Sequence, residues 1–103
     1  MKTKLITFLL ILLLTPISTL YAVEYNGNNI DGIEFDCSAY SYDTGSWYYV
    51  TVEFYGDEAT VTFSNGGYIT LTLDDEVIDD PSAIDAYDYE KSVFWELEVD
   101  GLD

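Results

Sequence analysis

Carboxylates are the only plentiful reactive groups in this chain. Twenty Asp and Glu stand against three Lys, with no His and a formal net charge of −17. Arg is absent as well. Without His there is no Ser-His-Asp or Cys-His arrangement and no zinc site of the usual kinds; without Arg there is no bidentate phosphate clamp. No Gly-rich phosphate loop is present. Carboxylate oxygens are the natural ligands of calcium. Asp74, Asp75, Glu76, Asp79 and Asp80 fall within one short stretch, and calcium is the one cofactor such a loop suits. A second stretch, Asn29-Ile30-Asp31-Gly32, carries part of a calcium-loop pattern, but Gly27 and Ser38 stand at its first and last ligand positions.

Asp43-Thr44-Gly45-Ser46 has the residues of the aspartic-protease active-site tetrapeptide. That chemistry needs two close Asp side chains sharing one proton, so a single copy would require a dimer. Ser41 and Tyr42 precede Asp43 where a buried apolar strand is needed, and Asp-Thr-Gly between two strands is also ordinary turn chemistry. The turn is the expected reading, and a dimeric aspartic protease using Asp43 is the remote alternative.

The charge limits the partners. After Ala22 the only basic residue is Lys91, so the surface repels nucleic acid and anionic lipid and attracts cations. Met1–Ala22 has the layout of a secretory signal peptide: Lys2 and Lys4, an apolar run from Leu5 to Leu14, then Pro16, polar residues and a small residue at Ala22. That run is too short for a spanning helix. The expected product is periplasmic or secreted, with no stable membrane insertion after cleavage. Cys37 is the only cysteine, so no intrachain disulfide forms; its phase with Phe35 and Ala39 predicts a buried thiol.

Residues 23–32, rich in Asn and Gly, are expected to form a flexible lead-in. From residue 33 to 103 the hydrophobic period is two. Ile33, Phe35, Cys37 and Ala39 alternate with polar residues, as do Tyr48, Val50, Val52 and Phe54. Ala59, Val61 and Phe63 lead through the Asn65-Gly66-Gly67 turn into Ile69, Leu71 and Leu73. Pro81 and five acids make 74–82 a loop. Ile84 and Ala86 suggest a short strand, and Val93, Trp95, Leu97 and Val99 a last one. The fold class is all-β: a small antiparallel β-barrel or sandwich of five to six strands. Trp47, Tyr49, Tyr55, Tyr68 and Phe94 fall on the outward phase.

Cys37, Val50-x-Val52-x-Phe54, Ala59-x-Val61, Gly66-Gly67 with Leu71 and Leu73, Ser82-Ala83 and Phe94-Trp95 follow one another in an order that resembles the periplasmic C-type lysozyme inhibitor family. The resemblance implies a small secreted antiparallel barrel that blocks lysozyme by inserting a loop, which would fall at Ser82 to Tyr87. Ser82, Ala83 and Tyr87 carry over. Glu96-Leu97 stands where the family has Lys-Gly, and a second Cys is missing.

The expected function is that of a non-enzymatic binding protein engaging a cationic protein, such as a lysozyme-like hydrolase or a toxin, through Asp79, Asp80, Ser82, Asp85 and Tyr87. Alternatives are a calcium-binding module using Asp74, Asp75, Glu76, Asp79 and Asp80, and a merely salt-adapted acidic domain.

Overall fold

The computed structural model describes residues 22–102; the expected export signal, up to Tyr21, lies outside them. Nine strands follow in order among the described residues. They are β1 (Glu24–Tyr25), β2 (Asn28–Asn29), β3 (Glu34–Ser41), β4 (Ser46–Tyr55), β5 (Glu58–Phe63), β6 (Tyr68–Leu73), β7 (Val77–Ile78), β8 (Ile84–Asp88) and β9 (Val93–Val99). Six of them close an antiparallel barrel in the order β3-β4-β5-β6-β8-β9, with β9 returning to β3. Closure removes the free edges that a chain of this size would otherwise expose.

The period-two pattern sets the two faces of the barrel wall. Ala39, Val52, Phe54, Ala59, Val61, Leu71 and Leu97 are all fully buried, and Cys37, Val50, Leu73, Ile84, Ala86, Trp95 and Val99 nearly so. Their alternating neighbours face out, including Trp47, Tyr49, Tyr55, Tyr68 and Phe94. Burial pushes the Cys37 thiol from its ordinary pKa of 9.0 up to about 12, with the Asp100 and Glu98 charges adding to the effect and a backbone hydrogen bond from Glu98 opposing it. Among the described residues one buried side-chain polar atom, Trp95 Nε1, has no hydrogen-bond partner.

The stretch 23–32, expected as a flexible lead-in, carries strands: β1 and β2 form a hairpin, and β1 also pairs in parallel with β7. Val23, Ile30 and Ile78 join the hydrophobic core, which is what holds the segment down. The backbone reversal falls at Asn26 and Gly27, both at positive φ, a conformation that Asn and Gly tolerate best. Ile33, expected inward, is 49% exposed. Its strand begins one residue later, and the Phe54 carbonyl beyond the β3–β4 ladder is taken by the Gly32 N–H at 2.9 Å.

The small sheet and the 74–82 loop lie at the same end of the barrel, where β4, β6 and β9 end and β8 begins. Pro81 accepts a hydrogen bond from the Val99 N–H at 2.7 Å there. At the opposite end Asp43, Thr44 and Gly45 of the tetrapeptide form a tight connection between β3 and β4. Ser41 Oγ accepts from the Asp43 and Thr44 N–H groups at 3.2 Å each, and Gly45, at φ +70°, donates to the Ser41 carbonyl at 2.8 Å. Asp88 does the same for the β8–β9 turn, accepting from Glu90 and Lys91 N–H at 2.9 and 3.1 Å. This explains why Ser41 and Asp88, both on the inward phase, are the buried polar residues among those described.

Candidate functional site

Strand register places side chains from distant parts of the sequence in two adjacent rows on the outer wall. In the first row Thr72 of β6 faces Tyr87 of β8, which faces Phe94 of β9. Tyr42 extends the row, its N–H donating to the Phe94 carbonyl at 3.1 Å. In the second row Asp85 of β8 faces Glu96, which faces Tyr40 of β3, which faces Trp47 of β4. Asp74 joins it at the β6 side through its N–H to the Asp85 carbonyl at 3.1 Å. One row is mainly aromatic and the next begins with three acids.

The rings touch. Tyr87 meets Tyr89 and Phe94 at centroid separations of 4.6 Å each, both edge-to-face, and Tyr40 meets Tyr42 at 5.0 Å and Trp47 at 5.2 Å. Such pairs contribute about 0.5–1.5 kcal/mol each beyond their burial. Part of the belt is therefore cross-strand packing. Yet Tyr89, Phe94, Tyr42 and Trp47 all remain more than half exposed to solvent, leaving apolar area that the fold itself does not use.

A cleft opens where β6 and β8 pair at only two positions, Thr72↔Tyr87 and Leu73↔Ala86. Its volume is about 420 Å3, and its walls include Tyr42, Tyr87, Tyr89 and Phe94 with Asp74 and Asp85. Aromatic faces carry negative quadrupole potential, so rings and carboxylates together favour a positively charged group over a neutral or anionic one. Lys91, the only basic residue among those described, is not in this cleft but in the β8–β9 turn, three residue pairs beyond Asp85↔Glu96.

Of the five residues expected to bind a partner, the structure brings Asp85 and Tyr87 into the cleft. Asp79, Asp80 and Ser82 do not line it. Asp80 Oδ1 accepts from the Ser82 hydroxyl at 2.6 Å and from its N–H at 3.0 Å, and these two bonds hold the Asp80 carboxyl below its usual range. Ser82 thus fastens its own loop. Tyr42, Asp74, Tyr89, Phe94 and Glu96 complete the surface instead.

The acids of the 74–82 loop, which the calcium-binding alternative would use, are not gathered at one point in this structure. Among the described residues no three acidic, His or Cys side chains come close enough to hold a metal ion. Asp75 accepts from the Val77 N–H at 3.0 Å, Asp80 is engaged with Ser82, and Asp74 belongs to the cleft, so Asp74, Asp75, Glu76, Asp79 and Asp80 are spread along the loop rather than turned to one point. Asp31 of the second calcium-like stretch accepts from the Val23 and Gly56 N–H groups at 2.8 and 3.1 Å. No described helix is long and apolar enough to cross a membrane.

No family model matches the chain, and neither a curated protein nor a solved structure matches it.

Proposed function

We propose that this chain is an exported, non-enzymatic binding protein whose cleft and flanking rows engage a cationic protein. The observation that carries the reading is the register: Tyr87–Phe94–Tyr42 lies directly beside Asp74–Asp85–Glu96, with no basic side chain between them. A partner's Lys or Arg would enter the cleft against the Tyr87, Tyr89 and Phe94 rings that line it, with Asp74 and Asp85 balancing its charge. Exposed Tyr and Trp supply short-range contact at low entropic cost. The surrounding acids act mainly on association rate and salt dependence. The export signal and the inhibitor-like order of strands favour a secreted hydrolase of lysozyme type as the partner class.

The test is retention of basic proteins, a C-type lysozyme among them, by the immobilised domain at low and at rising salt, together with a lysozyme activity assay. Retention that survives near-physiological salt supports the reading. Complete release at about 0.15 M salt, where exposed charges are screened beyond roughly 8 Å, reduces the surface to an adhesive polyanion and defeats it.

A further inference from the structure

The backbone nitrogen of Val23 lies 2.8 Å from Asp31 Oδ1. Asp31 is half-buried, its other oxygen accepts from Gly56 in the β4–β5 turn, and its own N–H is held by Asn29 Oδ1 at 2.8 Å. Two backbone N–H groups thus hold the carboxylate, one on each oxygen, and a third bond holds the Asp31 backbone. Val23 is fixed too: its side chain is fully buried in the core, and its carbonyl accepts from the Ile30 N–H at 2.9 Å. Val23 is also the residue that follows Ala22, where the small-residue end of the signal peptide falls.

We propose that Val23 is the first residue of the mature protein and that Asp31 is the built receptor for its α-ammonium group. Hydrolysis of the Ala22–Val23 bond by a signal peptidase consumes one water. The hydroxyl goes to the Ala22 carbonyl carbon, and the Val23 nitrogen becomes an amine that takes up a proton at neutral pH. An amide donor beside a carboxylate then becomes an ammonium beside a carboxylate, which adds the attraction of two opposite charges to a hydrogen bond already assisted by one. The new cation tethers the β1–β2 hairpin to the β4–β5 turn through a single side chain, Asp31. Processing and folding are coupled: the released domain is tighter than the same domain with residues still attached ahead of Val23. In a chain with one other basic residue after Ala22, this is also the rare attractive ion pair.

The experiment begins with export of the full chain from a bacterial cell and intact mass measurement of the product. The expected first residue is Val23. Thermal melts then compare that product with a chain beginning at Ala22, which places an amide at the Val23 nitrogen and moves the charge one residue outward, each with and without Asp31→Asn. The Val23 start should melt higher by about 4 °C or more, and Asp31→Asn should erase the difference. Cleavage at another bond, or equal melting of the Ala22 and Val23 starts with Asp31 intact, overturns the proposal. Those two results decide it even if Asp31→Asn fails to fold.

Discussion

Asp85 and Glu96 stand directly opposite each other across β8 and β9, two carboxylates in register in a region that lacks a basic side chain. Like charges directly opposed in a sheet are destabilising. A protein that keeps them in an aromatic surface gives up some stability of the free state, and a cationic partner would relieve the repulsion on binding.

Replacing Glu96 by Lys should therefore stabilise the isolated domain by about 0.2–1 kcal/mol through a new pair with Asp85. The gain should shrink as salt rises. Urea melts at low and high salt measure it. If the cleft is the cation site, the same variant should bind a basic partner more weakly, so stability and affinity move in opposite directions.

Val61 is fully buried on β5 between its neighbours Val52 and Ile69. Val61→Asp puts an unpaired carboxylate into the core, at a cost of several kcal/mol against a total stability of about 5 kcal/mol. Far-UV circular dichroism should show loss of the strand signal. A folded variant would contradict the inward assignment of this strand.

The phase of each strand was legible in the sequence because one face packs and the other meets solvent: Val50, Val52 and Phe54 are inside, Trp47, Tyr49 and Tyr55 outside. Pairing between strands was not. That Asp85 meets Glu96 and Tyr40 meets Trp47 depends on register and on the β9–β3 closure, which a single strand's alternation does not encode. Glu96 and Tyr42 were missed for that reason. Val23 and Ile30 were missed because two isolated apolar residues among Asn and Gly show no period, although both are buried. A loop hydroxyl bonded locally, as Ser82 is to Asp80, looks the same in sequence as a free one.

The Cys37 thiol provides a pH test. Its folded pKa is raised from 9.0 to about 12 by burial, so the neutral thiol is the form the fold accommodates. The unfolded chain ionises first. The stabilisation is fully present below pH 9.0 and is lost as pH rises from there through about 12. Alkaline melts should show a falling melting temperature in that window that is smaller in Cys37→Ala. At neutral pH the native thiol should resist a disulfide reagent that labels the unfolded chain at once.

Since the 74–82 acids are spread out rather than convergent, millimolar calcium should raise the melting temperature no more than sodium at equal ionic strength, both acting by screening self-repulsion. A rise specific to calcium, abolished by Asp79→Asn with Asp80→Asn, would contradict this reading of the loop.

The most direct measurement compares the affinity of a C-type lysozyme for the native domain, for Tyr87→Ala with Phe94→Ala, and for Tyr49→Ala with Tyr68→Ala. All three proteins carry the same net charge, and all four positions lie on the outer wall, but only Tyr87 and Phe94 line the cleft. The cleft pair should cost on the order of 2 kcal/mol or more, about a thirtyfold loss, while the control pair changes affinity little. Equal losses in both pairs, or none in either, would contradict the cleft as the binding site.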